Sequence, residues 1–231
     1  EMLMEGLPGN RLRITGQPAL EAFSKQVSEV KGKSGGVSLR GHKEGAAVIT
    51  FFSQPIFDYF GDALGYTEKM VLEDILSVLP VLEEKWNGKI EFICKLHPKD
   101  RKEDLLPENC GLALNFVSNE YSNAELIACS DMVIGMGSIM MVHSVIAGVP
   151  TICYEPNKKS DVNTCFPVKV NAIPCITEKK ELFNILNRLR SDIAFSREYL
   201  AQQKLCSSHE GAAEKVVGLI HDVLNTGHRD L

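Results

Sequence analysis

Apolar residues follow two different spacings along the chain, and each spacing predicts a different element. Short continuous runs rich in β-branched and aromatic residues predict buried strands, whereas apolar residues every three or four positions predict helices. The predicted strands are 11–15, 46–53, 89–96, 112–117, 132–134, 149–154 and 173–176. The predicted helices are 19–30, 67–86, 122–129, one that begins near 138, 178–190 and 211–224.

The order of these elements predicts the fold class. Strands separated by helical segments indicate βαβ units, and hence an α/β, Rossmann-like open sheet that is mainly parallel with helices on both faces. In such a sheet ligands bind beyond the carboxyl ends of the strands, where loops lead into helix N-termini. Residues 31–45, rich in glycine, lysine and serine, are expected to form a mobile loop.

The amino-acid composition and net charge limit the kinds of molecule that the chain is expected to bind. With 231 residues, 44% of them hydrophobic, the chain is long enough to bury a real core. The net charge of −5 gives no basic surplus, so we expect no nucleic-acid partner, and any bound phosphate must be met by local donors. No apolar run approaches the ~18 residues of a membrane span, so no transmembrane segment is expected.

The cysteines and histidines argue against a disulfide framework and a metal site. The seven cysteines are an odd number without a CxxC pair, and Cys94, Cys129, Cys153 and Cys175 lie in or beside apolar runs. This pattern is typical of buried, reduced thiols in a cytoplasmic protein. The six histidines show no metal-ligand spacing, so no metal is implied.

The segment between the strands 132–134 and 149–154 is the first candidate for chemistry. Gly135 and Gly137 permit positive φ and close backbone approach, and Ser138 is a suitable N-cap for a helix that starts at Ile139. The N–H groups and dipole of such a helix favour a phosphate. A third glycine of the dinucleotide fingerprint is missing, because Met140 stands there. A tight turn with an N-cap explains the same residues.

The pair His97-Pro98 is the second candidate. It follows the strand 89–96, and Lys95, Lys99 and Arg101 add positive charge around it. A histidine donor surrounded by cations is a suitable binding site for a phosphate. A lone histidine at a strand end is also typical of a capped or solvated residue.

A third candidate, His143-Ser144, is rejected as a hydrolytic pair. Adjacent residues on a helix point in different directions, and no acidic residue is placed to orient the imidazole.

Four short motifs, in order, resemble the C-terminal, donor-binding half of GT-B-fold glycosyltransferases and the related UDP-N-acetylglucosamine 2-epimerases. Ile14 to Pro18 resembles the turn that follows the interdomain linker, and Leu96-His97-Pro98 resembles an "HP" element near the nucleotide phosphate. Ser130 to Pro150 resembles the donor-site block, and His209 to Ala213 resembles the start of the closing helix. The match covers most of the chain.

The resemblance implies a domain organisation and a set of binding residues. Residues 1–13 are expected to be linker-like and 14–231 to form one nucleotide-sugar-binding domain, entered by the turn Gly16-Gln17-Pro18. In many members an acidic residue that binds the donor ribose lies seven positions before the G-x-P proline, and here His143 stands in that place. The donor is therefore left open among UDP-, CMP- and CDP-linked sugars. The residues implied in nucleotide or phosphate binding are Lys95, His97, Gly135, Gly137, Ser138, Ile139 and His143.

The function implied is that of the donor half of a metal-independent glycosyltransferase in cell-surface polysaccharide or glycan synthesis. Such a half is inactive without an N-terminal acceptor half, which would lie upstream or on another chain. A sugar-nucleotide 2-epimerase is the alternative enzyme, and a non-catalytic interaction module is the alternative from another class. The expected location is the cytoplasm, at the inner face of the membrane.

Overall fold

The computed structural model describes residues 12–32, 45–105, 115–206 and 211–226, together with Gly6, Pro8 and Gly9. The strands are β1 (Ala47–Phe52), β2 (Ile90–Lys95), β3 (Asn115–Val117), β4 (Met132–Gly135), β5 (Thr151–Tyr154) and β6 (Cys175–Ile176). The helices are α1 (Pro18–Gly32), α2 (Ile56–Phe60), α3 (Glu68–Trp86), α4 (Lys102–Leu105), α5 (Asn123–Cys129), α6 (Ile139–Ile146), α7 (Phe166–Lys169), α8 (Lys179–Ser191), α9 (Ile193–Gln203) and α10 (Ala212–Thr226).

Most predicted elements are confirmed, and the errors have local causes. The strand predicted at 11–15 is wrong, because its described part, 12–15, pairs with no strand. Helix α9 was not predicted, since its apolar residues lack a consistent helical spacing. It docks instead through Gln203, whose side chain bonds the backbone at Val149 and Thr151. Most of the loop predicted at 31–45, as well as His209 and Glu210, lies outside the described residues.

The six strands form one parallel sheet in the order β3-β2-β1-β4-β5-β6. Strands β1, β2 and β3 lie side by side toward one edge of the sheet. Strand β4 lies on the other side of β1, and β5 and β6 follow it toward the opposite edge. The order therefore reverses between β1 and β4. In open parallel sheets the crevice beyond the carboxyl ends of these two strands is where ligands bind. The predicted fold class is confirmed.

Both faces of the sheet are buried, as an all-parallel sheet requires. Ile49 and Phe51 of β1 face a cluster that includes Ile75 of α3, whereas Val48 and Phe52 face the cluster under α1 and α5. The alternation follows from the two-residue period of a strand. Among the helices within the described ranges, none combines the length and apolar character needed to cross a bilayer.

A glycine turn precedes helix α1, and a buried carboxylate joins α1 to α10. Gly16 has a φ of 82°, and Pro18 starts α1 at a position where a missing N–H costs nothing. Glu21 accepts hydrogen bonds from the backbone N–H groups of Gly211 and Ala213, each at 3.2 Å, and pairs with Lys25 at 2.9 Å. The hydrogen bond from Lys25, backed by the two N–H groups, lowers the pKa of Glu21 to about 2.

Candidate functional site

The candidate site is the crevice beyond the carboxyl ends of β1 and β4. Phe51 of β1 pairs with Ile134 of β4, and Gly135 of β4 pairs with Cys153 of β5. Counting along the register past the strand ends brings Gln54, Gly137 and Glu155 level with one another. His97 follows β2 on the other side of β1, because Phe52 pairs with Lys95. Four strand exits therefore present residues along one edge of the sheet.

The N-terminus of α6 opens onto this crevice. Ser138 is its N-cap, with an extended backbone and a side-chain oxygen that accepts from Met140 N–H at 3.2 Å. The cap predicted from the sequence is confirmed. The first turn carries no acidic residue, and Ile139 is 57% exposed. The positive end of this helix is thus not neutralised by a carboxylate of its own.

The expected role of the two glycines is partly wrong. Neither Gly135 nor Gly137 has a positive φ, so neither is needed for a left-handed turn. Close approach to backbone requires glycine at Gly137, whereas Gly135 approaches a side chain. A Cβ on Gly137 would overlap the backbone oxygen and the side-chain amide of Asn163, and one on Gly135 would overlap the sulfur of Met141. The loop that carries Asn163 therefore lies directly on the residue that precedes the α6 cap.

Buried polar atoms without a hydrogen-bond partner are concentrated around this crevice. Within the described ranges six such side-chain atoms are found, and five of them lie at this edge of the sheet. They are Ser53 Oγ, Gln54 Oε1, Tyr66 OH, Glu155 Oε1 and Asn163 Nδ2. Folded proteins satisfy the large majority of buried polar groups, so a cluster of this kind indicates a place for water or for a ligand.

Tyr66 lies between Glu155 and Asn163 in this cluster. It is almost fully buried, and its hydroxyl faces the Glu155 carboxylate and the Asn163 amide. Burial, reinforced by the charge of Glu155, raises the pKa of Tyr66 well above its usual range. The phenol therefore stays protonated, and its O–H is a donor for the Glu155 carboxylate or for a ligand in the crevice.

His97 sits in a tight turn that fixes its protonation pattern. Its backbone N–H donates to Asp100 at 2.9 Å, and its Nδ1 accepts from the backbone N–H of Lys99 at 3.2 Å. Because Nδ1 is an acceptor, the neutral ring carries its proton on Nε2. The turn therefore leaves a donor on the far side of the ring.

The surroundings of His97 are less positive than the sequence suggested. The Lys99 ammonium lies over the Tyr59 ring, 4.3 Å from its centre. Three basic side chains, Lys69, Lys99 and Arg101, line a cavity of about 590 Å³ beside the turn, together with four acidic ones. These are Asp58, Glu68, Asp100 and Asp104. Lys95 is partly buried at the end of β2, where desolvation lowers its pKa and Glu120 opposes that shift.

His143 lies apart from the crevice, on the side of α6 that meets α1. Its ring stacks on Phe23 with 4.1 Å between centroids, and burial lowers its pKa. Its Nδ1 is buried without a partner. The neighbouring Ser144 donates to the Met140 carbonyl at 2.8 Å, so the two side chains form no catalytic pair.

Ser53, Gln54, Tyr66, Glu155 and Asn163 were not singled out from the sequence. Ser53 ends a predicted strand and Gln54 follows it, so the rule applied to 135–138 at the exit of β4 would also have found them. Asn163 carries no such signal. It reaches Gly137 only because a loop folds back from β5 over the crevice.

Solved structures share this fold at low sequence identity. The UDP-GlcNAc 2-epimerase from Neisseria meningitidis is 14% identical with a TM-score of 0.63, over 95% of this chain and 57% of that chain. A putative UDP-N-acetylglucosamine 2-epimerase from Listeria monocytogenes is 13% identical with a TM-score of 0.62, over 100% and 57%. The wall teichoic acid polymerase TagF is 15% identical with a TM-score of 0.52, over 92% and 50%.

Sequence comparison alone finds no matching family model and no matching curated protein. The chain spans between half and three fifths of the length of the three solved structures above. At these identities the likeness is one of fold. The chain has the Rossmann-like fold of one half of a GT-B enzyme.

Proposed function

We propose that residues 14–231 are the donor-binding half of a nucleotide-sugar enzyme, a metal-independent glycosyltransferase of the GT-B type. The observation that carries this proposal is the cluster of unpartnered, buried polar atoms beside the open N-terminus of α6. An open helix N-terminus favours a phosphate, and the polar atoms around it favour a ligand rich in hydroxyl and amide groups. A nucleotide sugar has both chemical features.

In this proposal the α6 N-terminus binds the donor's phosphate or diphosphate. The backbone at Gly137, Ser138 and Ile139 meets the phosphate oxygens, and the Nε2–H of His97 donates from the β2 side of β1. Strands lie about 4.8 Å apart, so a group that spans two strand spacings reaches both places. Such donors stabilise a leaving diphosphate without a metal ion.

The remaining crevice atoms then suit the nucleoside or the sugar. Ser53 Oγ and Gln54 Oε1 lie at the exit of β1, and Asn163 Nδ2 lies opposite on the loop above Gly137. An acceptor and a donor that face one ligand recognise a hydroxyl or amide group by hydrogen bonds. UDP, CMP and CDP, each of which carries a ribose and at least one phosphate, are the candidate carriers.

A sugar-nucleotide 2-epimerase is the second candidate function, favoured by the higher TM-scores of the two epimerases. In either enzyme we propose that an acceptor half, outside this sequence, completes the cleft. The chain by itself should then bind a nucleotide but transfer no sugar. A cytoplasmic enzyme of cell-surface glycan synthesis is the role that we propose for the transferase.

The test introduces a carboxylate at the proposed phosphate site. Aspartate is as good an N-cap as serine, so Ser138→Asp should keep α6 capped while its charge repels a phosphate. The matched control is Ser122→Asp, the same substitution at the N-cap of α5. Titration calorimetry with UDP, CDP and CMP should show binding to the wild type and to Ser122→Asp, and none to Ser138→Asp.

Two outcomes would contradict the proposal. If none of the three nucleotides binds the wild type, the result favours a non-catalytic interaction module as the function of the chain. If Ser138→Asp binds as tightly as Ser122→Asp, the phosphate site is not at α6. Thermal melting of the three ligand-free proteins checks that each is folded.

A further inference from the structure

A second cluster of chemically reactive groups lies at the carboxyl ends of β5 and β6. Cys153 and Glu155 are two residues apart along β5 and its exit, so they point to the same face of the sheet. Cys175 of β6 is the register partner of Cys153 and shares that face. The two sulfur atoms and a Glu155 carboxylate oxygen lie within 4.8 Å of one another.

A third thiol completes this cluster from the loop above the sheet. Cys165 is the residue that precedes α7, and its buried thiol interacts with that of Cys153. Cys153 also interacts with Cys175. Cys165 therefore packs with Cys153 and Cys175 in one cluster, and Glu155 lies within 4.8 Å of the Cys153 and Cys175 sulfur atoms.

Glu155 has one oxygen available for a further partner. The residue is 0% exposed. Its Oε2 pairs with the Lys158 ammonium at 2.7 Å and accepts from the Cys175 thiol at 3.3 Å. Its Oε1 accepts no hydrogen bond of good geometry, although the Tyr66 hydroxyl faces the carboxylate. A buried carboxylate with an unused oxygen beside three thiols is a suitable fourth ligand for a metal ion.

Lys158 provides the charge that such a site would need. Its ammonium lies 3.8 Å from the Cys175 sulfur as well as 2.7 Å from Glu155 Oε2. Three thiolates and a carboxylate around a divalent ion leave two negative charges in excess. Because the ammonium adjoins two of the ligands, it offsets part of that excess and favours the thiolate form.

We propose that Cys153, Cys165, Cys175 and Glu155 bind a thiophilic divalent cation of the zinc class. Thiolate and carboxylate ligands in a four-ligand set suit zinc, and such closed sites are structural. Binding exchanges the three thiol protons for the ion, so those protons are released to solvent. The site adjoins the crevice, since Glu155 borders both, but metal binding does not depend on the proposed nucleotide chemistry.

Metal binding here would stabilise the crevice described above. Cys165 is two residues from Asn163, whose backbone and amide lie on Gly137. A metal that joins Cys165 to β5 and β6 would therefore fix the loop that lies on Gly137, next to the α6 N-cap. Loading of the site should raise the melting temperature of the chain.

The test titrates Zn²⁺ into the chain after reduction with a phosphine and removal of metal with a chelator. Competition with a chromophoric chelator should give one equivalent of bound Zn²⁺. Co²⁺ in its place should give the visible absorption of a tetrahedral thiolate site. Cys175→Ser and Cys165→Ser should each lose stoichiometric binding and the absorption band.

Cys129→Ser is the matched control, since Cys129 donates only to the Leu126 carbonyl, away from the cluster. It should bind Zn²⁺ as the wild type does. The proposal is overturned if the wild type binds no Zn²⁺, or if both cluster variants, shown by circular dichroism to be folded, keep one equivalent. Two cluster variants are used because one of them could fail to fold.

Discussion

Helices α5 and α6 both begin at the carboxyl edge of the same sheet, yet their N-termini are closed in different ways. At α5, Ser122 and Glu125 form a complete capping box, in which the Ser122 hydroxyl accepts from Glu125 N–H at 3.2 Å and the carboxylate accepts from Ser122 N–H at 2.8 Å. At α6, the Ser138 hydroxyl is the cap, and the first turn has no acidic residue.

This difference shows how a fold can leave the N-terminus of a single helix available to a ligand. A carboxylate at a helix N-terminus satisfies N–H groups and neutralises the dipole, which leaves little for an external anion. The same holds for α10, where Glu21 supplies the carboxylate from α1. Only α6 among these three helices combines an uncharged N-terminus with unpartnered polar atoms beside it.

The largest effect is expected from Gly137→Ala, which breaks the contact between α6 and the loop above it. The new Cβ would overlap the backbone of Asn163, so the loop must move. We expect destabilisation of about 1–3 kcal/mol, typical of overpacking, and loss of nucleotide binding. Urea unfolding and calorimetry measure the two effects.

The control for this substitution is Gly218→Ala in α10, where a new Cβ meets nothing within 4 Å. It should stabilise the chain by about 0.5–1 kcal/mol, the usual gain for alanine over glycine in a helix. Equal stability of the two variants would mean that the Asn163 loop yields freely.

The next effect concerns the β2 side of the crevice. His97→Ala removes the proposed Nε2–H donor and should weaken nucleotide binding by ~1–3 kcal/mol, or roughly five- to 150-fold. The exposed His221→Ala in α10 is the control and should leave affinity unchanged. An unchanged affinity for His97→Ala would restrict the phosphate site to α6.

Ser138→Ala refines the same test, because the hydroxyl has a structural role as a cap. Loss of an N-cap costs ~1 kcal/mol, so the melting temperature should fall by a few degrees. Combined with His97→Ala, it should show a coupling in nucleotide affinity, because both groups would act on one anion. Strictly additive losses would argue for two separate ligand contacts.

Glu21→Gln should convert the closed N-terminus of α10 into an open one. The pKa of Glu21 falls from its ordinary value of 4.5 to about 2, so its carboxylate stabilises the fold above pH ~4.5, and this contribution is lost as the pH falls toward 2. The variant should therefore be less stable than the wild type at pH 7 and nearly equal to it near pH 2. Added sulfate should stabilise the variant more than the wild type.

Melting curves between pH 2 and 7 measure this prediction, with the exposed Glu29→Gln on the same helix as control. A stability difference that does not change with pH would show that the carboxylate charge is not what joins α1 to α10.

The smallest effect is expected from His143→Phe. Burial lowers the pKa of His143 below its ordinary 6.5, so protonation favours the unfolded chain and stability falls as the pH drops through that value. Phenylalanine keeps the stacking on Phe23 and removes this sensitivity. Melting at pH 5 and pH 8 should differ less in the variant than in the wild type, and nucleotide affinity should not change.

A fall in affinity for His143→Phe would instead assign His143 to the nucleotide site, as its place in the sequence motif implied. His221→Phe, at an exposed position, is the control for the change of ring.

Local patterns predicted a good part of the site but not its contacts. The strand exits at His97 and at 135–138 were recognised because turns, caps and strand ends are encoded by neighbouring residues. The cap by Ser138 is confirmed for the same reason. The sequence argued against a metal because it offers no paired cysteines, whereas the fold brings Cys153 and Cys175 together and packs Cys165 with them from a third segment.

The sequence by itself determined most of the elements and the fold class, since apolar spacing and β-branched runs act over a few residues and a parallel sheet follows from their alternation. Only the tertiary structure decided that the order of strands reverses between β1 and β4, that Asn163 lies on Gly137, and that Glu21 closes α10 while α6 stays open. These features join residues far apart in the chain. Packing and hydrogen bonding across the whole domain determine which of these residues meet, so a local sequence pattern cannot predict the contacts.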